Sequence, residues 1–145
     1  MPAQLHSTSI NVADLPALTA AHPVMLSDDD PEMVGLLTMI LERERLTVIG
    51  TVDPVDTLRL CRTKPISLVV SDISKPTMDG FEMLSRLRGD AVTRAIPVLF
   101  LSARCRAEDF ETAQRLGAVG YLVKPIRPRE LVETVQRVLL TRGRW

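Results

Sequence analysis

Five short apolar runs, separated by stretches with helical period, constrain this chain more than any other feature. They are Pro23–Ser27, Leu46–Gly50, Ile66–Ser71, Ile96–Ser102 and Ala118–Val123. Each is largely apolar instead of strictly alternating, which is the pattern of strands buried on both faces. Between them, Asp30 stands as an N-cap before Pro31, and apolar residues at 33, 36, 37, 40 and 41 mark one helical face running to about Arg43. Asp53-Pro54 opens a second helix carrying Val55, Leu58 and Cys61, closed at Lys64-Pro65. A third runs from Asp79 to Arg88 with Phe81, Leu84 and Leu87 in phase. The fourth spans Arg106 to Leu116, with Gly117 as its stop residue. Pro128 opens the last, whose Leu131, Val135, Val138 and Leu139 recur at helical spacing. Five strands alternating with five helices predict a doubly wound α/β fold, a parallel five-stranded sheet with helices on both faces.

The 145 residues suffice for one such core and no second one. The expected organisation is a flexible arm over 1–22, one domain over 23–141 and a short tail over 142–145, with no output domain in this chain. Within the arm, Asp14 to Ala21 reads as a short helical turn, and a segment folding back on the domain or on a second subunit is the alternative. Basic and acidic residues both number 18, so no excess of positive charge points to direct nucleic-acid binding. No apolar run approaches the roughly 20 residues that span a bilayer, and no secretory leader is visible, so a cytoplasmic protein without membrane insertion is expected. Cys61 and Cys105 read as reduced thiols. His6 and His22 lack nearby soft ligands.

Strand three ends in Asp72, and the turn Ile73-Ser74-Lys75-Pro76-Thr77 follows. In an open parallel sheet, chemistry collects outside the carboxyl ends of the strands. The same edge receives Asp28 and Asp29 after strand one, Ser102 at the end of strand four and Lys124 after strand five. Several carboxylates without a counter-ion would raise one another's pKa, so a hard divalent cation is their natural resident, and Mg²⁺ suits an all-oxygen site. A carboxylate beside such a cation can attack a phosphoryl group and become an acyl phosphate. Lys124 and the Ser102 hydroxyl would then stabilise charge on the phosphoryl oxygens.

From about Pro23 to Leu140 the chain resembles the receiver domain of bacterial two-component response regulators. The resemblance rests on Asp28-Asp29-Asp30-Pro31, on Asp72 through Gly80, on Ser102-Ala103 and on Gly117 through Pro125, in the right order and spacing. It implies the flavodoxin-like (βα)5 receiver fold with strand order 2-1-3-4-5. It implies that Asp72 accepts a phosphoryl group from a histidine kinase or phosphotransfer protein, and that Asp28, Asp29, Asp72 and the backbone carbonyl of Ser74 hold Mg²⁺. By the same resemblance Ser102 is the switch hydroxyl, Tyr121 the switch aromatic and Lys124 the phosphoryl partner, with a cis Lys124-Pro125 bond. Ser74 and Arg104 stand where the family tunes dephosphorylation. The output is a changed face of helix four, strand five and helix five, read by an effector in trans or by a second copy of the chain. The domain is thus expected to be a signalling module instead of an enzyme.

Three residues depart from the family pattern. Ser27 and Ser71 stand where apolar strand residues are usual, and Lys75 replaces an apolar residue before Pro76. Lysine can extend its charged end into water, so Lys75 is expected to point to solvent. These departures leave a phosphorylation-independent pseudo-receiver, acting as a binding module, as one alternative. A small aspartate-nucleophile phosphohydrolase is another, weakened by Ser74 standing two residues after Asp72 where a second carboxylate would be needed.

Overall fold

The computed structural model describes residues 9–141. The first eight residues and the tail at 142–145 lie outside the described residues. Five parallel strands, β1 (Val24–Ser27), β2 (Val48–Thr51), β3 (Leu68–Ser71), β4 (Val98–Ser102) and β5 (Gly120–Val123), form one sheet in the order β2-β1-β3-β4-β5. The helices are α1 (Leu15–Ala21), α2 (Pro31–Glu42), α3 (Pro54–Thr63), α4 (Gly80–Gly89), α5 (Ala107–Arg115) and α6 (Pro128–Thr141). The doubly wound sheet and its strand order are those expected from the sequence and its resemblance.

Local chemistry starts and stops the helices where the sequence places them. The side chains of Asp30, Asp53 and Asp79 accept from the backbone N–H of Glu32, Val55 and Glu82, and Pro31 and Pro54 supply first residues that need no N–H partner. Gly117 takes a φ of +87° just past α5, a conformation that any side chain would strain.

Strand residues alternate between two apolar layers. Val24, Leu26, Leu68, Val70, Leu99 and Leu101 pack with α1, α2 and α6, whereas Met25, Val69, Val98 and Phe100 pack with α3, α4 and α5. Cys61 lies in the second layer, where burial pushes its thiol up to about 12 and leaves it inert. Cys105 is exposed, and both cysteines are free.

Much of the expected arm is packed. Leu15 of α1 is fully buried among residues of α2 and α6. The Thr19 hydroxyl donates to the Leu15 carbonyl at 2.9 Å and accepts from the Thr47 N–H at 3.0 Å, which ties α1 to the segment entering β2. Residues 15–21 therefore follow the alternative reading, a segment folded back on the domain. Among the described residues, no helix is long and apolar enough to cross a membrane.

Register places the site. Ser27 is paired with Thr51 on one side and with Ser71 on the other, so β1 and β3 end side by side. The chain leaves β1 and β3 toward opposite sides of the sheet, and the crevice at that switch point receives the residues that follow each strand.

Candidate functional site

Asp28 follows β1 and Asp72 follows β3, so the paired strand ends deliver two carboxylates to one place. Asp28, Asp29 and Asp72 each present an oxygen within 4.8 Å of the others. Asp28 and Asp72 are buried and Asp29 is exposed. Three carboxylate oxygens on one side and solvent on the other form a donor set suited to a hard divalent cation that keeps some of its water.

Each buried carboxylate is oriented. Asp28 accepts from the Asp30 N–H at 2.9 Å, and Asp72 accepts from the Ile73 N–H at 2.6 Å and the Ser74 N–H at 3.3 Å. The second oxygen of each faces Lys124, whose Nζ donates to Asp28 at 3.0 Å and to Asp72 at 3.2 Å. Burial opposes the charge on Lys124. Its hydrogen bond to Asp28 and the charges of Asp72 and Asp28 outweigh that cost and raise it above the ordinary lysine value. The ammonium is thus a permanent cation aimed between the two carboxylates. The Lys124-Pro125 bond is cis, as the resemblance implied.

Gly80 allows α4 to begin directly under this cluster. A Cβ there would lie 2.6 Å from the Asp72 carbonyl oxygen and 2.9 Å from the Ile73 Cα, both backbone atoms. Its N–H donates to the Ile73 carbonyl at 2.7 Å, which pins the turn after Asp72 to the helix.

Ser102, Arg104 and Tyr121 form a neighbouring group at the end of β4. The buried Ser102 hydroxyl accepts from the Arg104 N–H at 3.2 Å, and the Tyr121 hydroxyl donates to the Arg104 carbonyl at 2.7 Å. The Tyr121 ring lies 4.4 Å from the Phe110 ring, between centroids. The Arg104 guanidinium donates to Asp109 at 2.7 Å and lies over the Phe81 ring. Ser102, Arg104 and Tyr121, separate candidates in the sequence, are joined through the backbone of one loop. Ser74 is exposed beside Asp72.

Lys75 is where the expectation fails. It does not extend to solvent but is buried, with 8% of its surface exposed. Its Nζ donates to Ser27 Oγ at 2.6 Å and Ser71 Oγ at 2.8 Å, and lies 3.8 Å from Met83 Sδ. The three departures from the family pattern are therefore one feature. Ser27 and Ser71 are in register on neighbouring strands and stand on the face of the sheet that packs with α3 and α4, so their hydroxyls meet where the lysine enters. An ammonium only donates, so both hydroxyls must accept and pass their own protons outward. Ser71 donates to the Asp72 carbonyl at 2.7 Å, and Ser27 lies 2.8 Å from the Thr57 hydroxyl, itself 2.7 Å from that of Thr51. Burial pushes the Lys75 ammonium down to about 8 despite the charges of Asp72, Asp28, Asp29 and Asp79.

With this geometry in place, the likeness to known proteins is specific. Residues 24–136 match the family described as response regulator receiver domain. The chain is 37% identical over 117 residues to an uncharacterized 14.6 kDa protein in the sodA1 3' region of Leptolyngbya boryana, covering 81% of this chain and 89% of that one. It is 34% identical to response regulator GtcR of Aneurinibacillus migulanus over 80% of this chain and 47% of that protein, so it spans about half of that regulator's length. Among solved structures, the chemotaxis protein CheY4 of Vibrio cholerae superposes with a TM-score of 0.77 at 28% identity, covering 81% of this chain and 98% of that one.

Proposed function

Because the chain belongs to the response regulator receiver domain family, we propose that Asp72 accepts a phosphoryl group from a histidine kinase or phosphotransfer protein and that the receiver, spanning 23–141, signals by changing its contacts. The observation that carries this reading is the meeting of Asp28, Asp29 and Asp72 within 4.8 Å, with Lys124 bridging the two buried members. Asp28, Asp29, Asp72 and the Ser74 carbonyl would hold Mg²⁺. That ion supplies positive charge to the phosphoryl oxygens.

The protein residues divide the remaining work. A carboxylate oxygen of Asp72 forms the new P–O bond as the P–N bond to the donor imidazole breaks, and the leaving imidazole keeps its proton. The backbone N–H groups of Ile73 and Ser74 hold the carboxylate in line. Lys124 shifts from its pairing with the Asp72 carboxylate to the new phosphoryl oxygens, whose added negative charge it offsets. Ser102 exchanges its bond from the Arg104 N–H for donation to a phosphoryl oxygen, and Tyr121 gives up the Arg104 carbonyl and turns inward. Both changes alter the face of α5, β5 and α6, which corresponds to helix four, strand five and helix five of the sequence reading. This is a population shift between two states of one fold. That face is offered to an effector in trans or to a second copy of this chain, with no direct nucleic-acid contact. Ser74 and Arg104 tune how water reaches the acyl phosphate.

Incubation with phosphoramidate and MgCl2, followed by intact mass spectrometry, tests the reading. A gain of one phosphoryl group, lost in Asp72→Asn and on chelation, is expected. No gain in the native chain would leave a pseudo-receiver in its place.

A further inference from the structure

The buried Lys75 has no task in the steps above, and its surroundings are too well fitted for an accident of packing. Each of its three N–H donors has a partner, in Ser27 Oγ, Ser71 Oγ and Met83 Sδ. Both serines precede a carboxylate of the acid cluster, and Ser71 links on to the Asp72 backbone itself. The ammonium thus sits beneath the cluster, on the side of α3 and α4, one residue away along each strand. It is held there by β1 and β3 together and cannot swing out as an exposed lysine would.

We propose that Lys75 is a second fixed cation of the acceptor site, an internal counter-charge to Asp28, Asp29 and Asp72 that weakens their hold on the divalent cation. The inference rests on the reading of those carboxylates as the metal site. Two features make the effect electrostatic. First, the charges of Asp72, Asp28 and Asp29 already act on this ammonium, so a cation placed among them is repelled by it in turn. Second, low exposure removes most of the water that would screen the repulsion. Lys124 pairs with Asp28 and Asp72 as well, so the acid cluster meets two fixed positive charges before any metal arrives. A site of this kind stays partly neutral when the divalent cation is scarce, and it exchanges that cation more readily.

The test is a titration of the isotope-labelled full chain with MgCl2 at constant ionic strength, followed by amide chemical shifts, for the native chain, Lys75→Met and Lys75→Gln. Both variants are expected to bind Mg²⁺ more tightly, on the order of fivefold, the scale of one nearby like charge in a partly screened medium. Equal affinity in all three chains, or weaker binding in the variants, overturns the proposal while leaving the metal site standing. A change in Lys75→Met alone also overturns it, because glutamine removes the charge and keeps a polar partner for the serines. If the native chain and both variants fail to bind Mg²⁺, the metal site and the proposal fall together. The spectra report folding at every point. Should a single variant not fold, the apolar triple variant Ser27→Ala/Lys75→Met/Ser71→Ala carries the same comparison.

Discussion

Replacing Lys75 by methionine removes a buried charge at nearly constant side-chain length, and its effect on stability follows from the structure. An ammonium displaced from 10.5 to about 8 is disfavoured in the folded chain by roughly 3 kcal/mol, at about 1.4 kcal/mol per pH unit. Against that gain, Ser27 and Ser71 lose a charged donor. Each keeps another partner, in Thr57 and in the Asp72 carbonyl, so the loss is about 1 kcal/mol. The variant should therefore be more stable by about 2 kcal/mol at pH 7 without divalent cation, in line with buried ions replaced by apolar groups. The sign with pH is fixed. The unfolded chain holds a proton on Lys75 that the folded chain releases between pH 8 and 10.5, so native stability rises relative to the variant across that window. Urea denaturation followed by circular dichroism, in chelator from pH 7 to 10.5, measures both quantities. The variant's advantage should be full below pH 8, vanish on the way to 10.5 and give way there to a deficit of up to about 1 kcal/mol, the hydrogen bonding that the serines lose. A variant less stable than the native chain at pH 7, or a stability difference that ignores pH, would refute the argument.

Leu15→Ala is expected to cost about 3 kcal/mol in the same assay, because Leu15 is fully buried in the apolar layer it shares with α2 and α6; a neutral result would mean that α1 does not dock in solution. Gly80→Ala should cost at least about 2 kcal/mol, since its Cβ would meet the Asp72 carbonyl oxygen at 2.6 Å and neither backbone can yield without moving the site. It should also slow phosphorylation, and unchanged stability and rate would show that the turn relaxes freely. Magnesium present at about ten times its dissociation constant should raise native stability by roughly 1.4 kcal/mol, a gain that Asp28→Asn should lose; equal gains in both chains would remove Asp28 from the metal site.

The fold was legible because the central strands β1, β3 and β4 are buried along their whole length and leave short apolar runs between turn signals, and because Asp30-Pro31, Asp53-Pro54 and Pro128 mark helix starts by their own chemistry. The carboxylates at 28, 29 and 72 were legible for a similar reason: strand ends on one edge of a parallel sheet bring distant residues together whatever their separation along the chain. A helix of 7 residues carries too short a period to show in sequence whether α1 docks, and its burial depends on the apolar layer it shares with α2 and α6. The burial of Lys75 is invisible to any argument that takes one residue at a time. Ser27, Ser71 and Lys75 each looked like an isolated departure, yet β1 and β3 are adjacent in this fold and the two serines share a register position and a face. Paired hydroxyls on one face of two central strands, with a lysine four residues after the second, were the signal of an internal cation.

The central claim is that Asp72 is the nucleophile of this site. Borohydride reduction of the phosphorylated chain, which converts an acyl phosphate of aspartate to homoserine, followed by peptide sequencing, tests it most directly. Homoserine at position 72 alone is the predicted result. Homoserine at position 28 or 29, or a phosphoryl group that resists reduction and maps to Ser102, would contradict it.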